Sequence, residues 1–270
     1  MNILRFRLLK LYKLILSNRT RNNNIESIKK CIVVFAPHPD DETLGCGGTI
    51  LKQIRAGSQV KIVFMTDGAN SHSHIISSEK LGLIRAQEAI AAGKKLEVSE
   101  SNLIFLGYRD SDLCRDINDA VKKVQLILKE SQPDEIFIPH EKEPITNDHF
   151  ATHRIVSLAL KNYKKRVIVS EYPVWLYYHF PWVQFQAKDA LGCLKHMFFS
   201  SFHLIVDFRF SVYVGDVISL KRLALQEHRS QITRLFPHPR WQTLGDLSNG
   251  EFLECFFQDY ELFNRYVLNK

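Results

Sequence analysis

CIVVFAPHPDDETLGCGGTI, residues 31–50, holds the turn from which the fold can be read. The apolar, β-branched run Cys31 to Phe35 predicts a strand over 31–36, and a helical pattern begins near Thr43. Pro37, His38, Pro39, Asp40, Asp41 and Glu42 therefore occupy a strand-to-helix turn, at the carboxyl end of a strand. In open α/β sheets, ligands bind in the crevice at that edge, where the strand order reverses.

Outward from this turn, strands and helices alternate. Strands are predicted over 59–65, 103–106, 134–139 and 166–170, and helices over 43–56, 77–95, 116–131 and 148–163. The pattern predicts an α/β fold, a Rossmann-like, mainly parallel sheet with helices on both faces. Gly45, Gly47 and Gly48 are poor helix formers, so their presence in the first helix predicts close approach to a strand or a ligand. After Glu171 the alternation lapses into a segment, 172–202, rich in Tyr172, Trp175, Tyr177, Tyr178, Phe180, Trp182, Phe185, Phe198, Phe199 and Phe202. Such rings suit sugar faces and interfaces, and equally a core. A last helix is expected over 216–230, with His228, Arg229, Ser230 and Gln231 at its end.

The 270 residues show no linker, repeat or low-complexity segment, which predicts a single domain over 25–270 behind a basic extension, 1–24. Of the net charge of +7, Arg5, Arg7, Lys10, Lys13, Arg19 and Arg21 account for nearly all, and they precede the first acidic residue, Glu26. With no zinc finger, RNP-like stretch or basic recognition helix, no nucleic-acid partner is expected. Residues 3–16 fit an amphipathic helix with Leu4, Leu8, Leu11 and Ile15 on one face, a candidate for peripheral membrane contact or for packing on the domain or a second subunit. A homo-oligomer is left open. The five cysteines, Cys31, Cys46, Cys114, Cys193 and Cys255, are widely spaced and form no CxxC, which favours reduced thiols and a cytoplasmic location, at most peripheral to a membrane.

His38 and Asp41, three apart on a tight turn, are close enough to bind one divalent ion, with Asp40 directed elsewhere. A catalytic zinc has three protein ligands and an open position. The third must come from another strand end, and the helix after the 134–139 strand offers His149 in its first turn and His153 one turn later. A zincin would carry Glu after the first of these histidines, and Phe150 stands there instead.

The string APHPDDETLGCGGTI resembles the signature of the LmbE-like and N-acetylglucosaminyl-phosphatidylinositol de-N-acetylase (PIG-L) family of zinc-dependent deacetylases. Phe64 to Gly68, Arg85 with Glu88, Gly107 to Asp110, DHFATHRIV from Asp148 and the HxSQ-like His228 to Gln231 resemble further family segments, in the family's order. The resemblance implies removal of an N-acetyl group from an N-acetylglucosamine-containing substrate. It implies Zn2+ held by His38, Asp41 and His149, Asp40 as general base toward water, and Arg85 and Asp110 as substrate-binding residues. One position departs from the pattern: Thr146 stands where many members have a histidine for oxyanion stabilisation or proton transfer, so that either His140, His153 or His228 substitutes or the enzyme works more slowly with zinc alone. Two other readings are weighed beside this one, a metal-dependent phosphoester hydrolase and a weakly catalytic sugar-binding or membrane-associated protein.

Overall fold

The computed structural model describes residues 29–143, 147–179, 181–183 and 190–269, with 7, 9–11, 14–16 and 20–22 of the N-terminal stretch. Its strands are β1 (Arg21–Asn22), β2 (Cys31–Ala36), β3 (Gln59–Thr66), β4 (Leu103–Tyr108), β5 (Glu135–Pro139), β6 (Val167–Tyr172), β7 (Phe210–Tyr213) and β8 (Tyr260–Leu268). They form one eight-stranded sheet in the order β1-β7-β8-β6-β5-β2-β3-β4. All neighbours run parallel except β8, which is antiparallel to β6 and to β7.

Side chains of β2 alternate between two cores because a strand projects successive residues to opposite faces. Ile32, Val34 and Ala36 pack with Leu44, Ile50 and Leu51 on one face. Val33 and Phe35 pack with Val124, Ile155 and Val156 on the other. The covering helices are α1 (Asp41–Arg55), α2 (Ser78–Lys95), α3 (Ile117–Ser131), α4 (Asn147–Leu160), α5 (Ala190–Val206), α6 (Ile218–Glu227) and the short α7 (Arg229–Ile232).

The expected glycine approach is found in α1. A Cβ on Gly45 would lie 2.2 Å from the ring of Tyr172, and one on Gly48 would lie 2.7 Å from Val214. The helix also breaks at Cys46, whose φ of −146° is not helical. The break leaves backbone groups of both halves without helical partners. Lys221 Nζ donates to the Leu44 carbonyl at 2.9 Å, and Glu261 accepts from the amides of Gly48 at 2.8 Å and Thr49 at 2.7 Å. The two side chains also pair with each other at 2.7 Å, so a buried ion pair is spliced into the helix.

The C-terminal half departs from expectation. The helix predicted over 216–230 ends at Glu227 and restarts at Arg229, because His228 leaves helical geometry (ψ 57°) as its ring turns to Glu42. Helix α5, β7 and β8 were not predicted. Phe198, at 69% exposure, and Phe202 face outward beside buried Leu204, which erases the polar-apolar rhythm of α5. The aromatic segment divides accordingly: Tyr172, Tyr177 and Trp182 are core, Phe198, Phe199 and Phe202 are exposed, and Phe180 and Phe185 lie outside the described residues. Of residues 3–16, Leu4 and Leu8 also lie outside them. Leu16 is buried and Leu9 packs on the core, whereas Leu11, placed on the apolar face by its spacing, is half exposed. Among the described residues no helix is long and apolar enough to cross a membrane.

Candidate functional site

Strands β2 and β5 are neighbours, yet the chain leaves β2 toward β3 on one side and β5 toward β6 on the other. Their carboxyl ends therefore flank the crevice that such a switch point opens. The turn after β2 is anchored by the amide and hydroxyl of Thr66, both donating to the Pro37 carbonyl, at 3.0 and 2.9 Å. It delivers His38 and Asp41, and α4, after β5, delivers His149 from its first turn.

These three side chains converge. Asp41 Oδ2 lies 3.1 Å from His38 Nδ1 and 3.2 Å from His149 Nε2. Ligand atoms of the three residues all lie within 4.8 Å of one another. Burial favours a neutral Asp41, but the charge of His149 and then hydrogen bonds from both histidines pull its pKa far below the usual carboxylate range. Burial likewise disfavours a charged His38, and the carboxylates of Asp110, Asp148 and Asp41 overcome it to hold the imidazole well above its ordinary value. A buried set of two imidazoles and a carboxylate that attract positive charge so strongly is chemically suited to a divalent cation in place of the shared protons.

Behind His38 stand two carboxylates. Its Nε2 is 3.2 Å from Asp148 Oδ2 and 3.4 Å from Asp110 Oδ1. Asp148 in turn accepts the amides of Ser111 at 2.6 Å and Leu113 at 3.2 Å. Asp110 accepts the Asn70 amide at 2.8 Å. His38, Asp110 and Asp148 also form a converging donor set, but it shares His38 with the first, and the two make one centre.

Asp40 sits beside this centre at 6% exposure, in a backbone conformation (φ 128°) that non-glycine residues rarely adopt. Burial pushes its carboxyl up to about 7 despite the opposing charge of Arg85. Arg85 donates to Asp40 Oδ2 at 3.1 Å, to the Gly68 carbonyl at 2.7 Å and to the Pro39 carbonyl, and is itself 3% exposed. A further shell is closed by Glu42, which accepts the Asp40 amide at 3.0 Å and faces His228 Nε2 at 3.1 Å. Glu88 holds the motif that contains His228, through the amide and hydroxyl of Ser230 at 2.7 and 2.6 Å.

Of the histidines considered as substitutes at Thr146, His153 rests on Glu171 at 2.9 Å, and His140 lies between Glu171 at 3.5 Å and Asp207 at 3.4 Å. His228 is near enough for its charge to act on Asp40. Thr146 itself lies outside the described residues. Two residues escaped the sequence reading. Asp148 stood beside His149 but read as part of a helix start. Glu143, whose Oε2 is 3.5 Å from His149 Nδ1, is marked in the sequence only by its place after β5. Burial pushes Glu143 up to about 7 against the neighbouring His149.

Residues 33–160 match the family model described as PIG-L: GlcNAc-PI de-N-acetylase. The chain is 24% identical over 232 residues to diacetylchitobiose deacetylase of Thermococcus kodakarensis, covering 82% of this chain and 75% of that protein. It is 24% identical over 177 residues to the 1D-myo-inositol 2-acetamido-2-deoxy-alpha-D-glucopyranoside deacetylase of Salinispora arenicola, covering 56% of this chain and 55% of that one. Its fold superimposes on N,N'-diacetylchitobiose deacetylase from Pyrococcus horikoshii with a TM-score of 0.62, at 22% identity, over 98% of this chain and 94% of that one.

Proposed function

We propose, from the match of residues 33–160 to the GlcNAc-PI de-N-acetylase (PIG-L) family model, that this chain is a member of that family and hydrolyses the acetamide of an N-acetylglucosamine-containing substrate, with zinc as its metal. The observation that carries this reading is the convergence of His38, Asp41 and His149 on one point, with the buried carboxyl of Asp40 beside it. The deacetylases among the relatives support the reaction class. The single sheet supports reading residues 25–270 as one domain, and through β1 it also takes in Arg21 and Asn22 of the stretch before them.

His38, Asp41 and His149 would hold the metal, which when bound lowers the pKa of water and polarises the carbonyl. Asp40 takes the proton from the attacking water as the new C–O bond forms. It then returns that proton to the departing amine as the C–N bond breaks, leaving acetate and a free amino sugar. Burial raises the Asp40 carboxyl in the metal-free protein, which favours its taking up a proton and handing it on. Arg85 fixes the direction of Asp40 through the three acceptors it spans. Asp110, 3.4 Å from His38 Nε2, is the carboxylate we assign to sugar hydroxyls.

The test is acetate release from a panel of N-acetylglucosamine conjugates by zinc-loaded protein. Asp40→Asn is expected to keep its zinc and to lose turnover by about 10²–10⁴-fold, the range for a general base. Near-parental turnover of that variant, or release of phosphate but no acetate from acetylated sugar phosphates, would overturn the reading.

A further inference from the structure

Glu143 touches the metal centre and the aromatic segment at once. Its side chain is fully shielded from solvent, with Oε2 3.5 Å from His149 Nδ1, on the side of the ring opposite the Nε2 that faces Asp41. Its two oxygens also accept the amides of Val174 at 3.0 Å and Trp175 at 2.5 Å. Those amides open the short 3-10 turn Trp175–Tyr177 that follows β6. The turn is stiffened by its rings: Trp175 stacks on Phe252 at 5.2 Å, and Tyr177 meets Trp182 and Phe256 edge-on at 5.2 and 5.5 Å.

We infer that Glu143 is a positioning residue for His149, fixing the ring's tautomer and direction for the metal and tying both to the aromatic turn at 174–177. The inference rests on the function proposed above and adds to it a link between ligand geometry and this turn. A carboxylate facing Nδ1 accepts a proton there, which leaves the lone pair on Nε2, the nitrogen that points into the centre. A carboxamide can present its NH2 group to Nδ1 instead. Nδ1 then becomes the acceptor, the proton moves to Nε2, and the lone pair a cation needs is lost. A Glu143 that only stapled the 174–175 amides would leave the His149 ring unchanged on substitution.

The experiment measures zinc affinity of the folded protein by competition with a chromophoric chelator, and the Nδ1 resonance of His149 by nitrogen NMR of the zinc-loaded protein. Glu143→Gln is expected to weaken zinc by about 10–100-fold and to shift the Nδ1 resonance, whose proton has lost its carboxylate acceptor. Glu143→Asp keeps the charge and is expected to bind zinc between the parent and the Gln variant, with an Nδ1 resonance nearer the parent's. It also provides the test if the Gln variant does not fold. A Gln variant within twofold of the parent, or an Asp variant no better than Gln, overturns the inference and leaves the proposed function standing. A parent that binds no zinc overturns the metal centre itself.

Discussion

At Asp40, backbone and side chain are both held in states that the isolated residue avoids. The positive φ of 128° costs roughly 1–3 kcal/mol. The carboxyl is buried where its charged form is disfavoured, with Arg85 offsetting part of that penalty. Such strain is characteristic of residues kept for chemistry and not for stability. Asp40→Gly relaxes the backbone but strips the buried Arg85 of its carboxylate, so it is expected to lower the stability of the metal-free protein by about 1–3 kcal/mol while abolishing acetate release. Thermal unfolding in chelator checks this, and a raised midpoint would mean that the strain outweighs the Arg85 contact. His38, Asp40 and Asp41 were legible in the sequence because one short turn carries them all. The strain was not, since it depends on Thr66 pinning Pro37 from the next strand. Asp148 and Glu143 were not legible either, because their meaning arises only where β2 and β5 lie side by side.

Helix α1 shows the same division between local and distant causes. Its glycines announced close packing in the sequence, and Tyr172 and Val214 occupy the space they leave. The break at Cys46 and the ion pair that mends it could not be read locally, because Lys221 belongs to α6 and Glu261 to β8. Each charge is needed by the other and by the helix, so removing one leaves an uncompensated buried charge. Lys221→Met and Glu261→Gln are each expected to cost about 3–5 kcal/mol, read as a shift in urea midpoint at unchanged slope. The double variant should recover part of the loss, since two neutral side chains leave no buried charge unpaired. Strict additivity of the two losses would show that the pair is not coupled.

For the molecule as a whole, the sheet brings together groups more than 100 residues apart in the chain: His38 and Asp148 differ by 110 positions. A cation joining the turn after β2 to α4 would act as a cross-link present only in the folded state. Zinc at a thousandfold over its dissociation constant is therefore expected to raise stability by about 4 kcal/mol, seen as a zinc-dependent thermal midpoint that chelator reverses and that is absent in His149→Ala. The parallel core from β2 to β6 was legible because strand and helix periods alternate there at regular spacing. The edge formed by β7, β8 and α5 was not, because exposed aromatics and mixed-polarity strands carry no clean period.

The mended helix has a last consequence, in the order of biosynthesis. Glu261 lies 213 positions after Gly48, so at about 5–20 residues per second a ribosome needs roughly 10–40 seconds to reach it. Over that interval water, and not a carboxylate, holds the amides of Gly48 and Thr49. The proposed cation site of the nascent chain is therefore expected to be finished only after β8 is made.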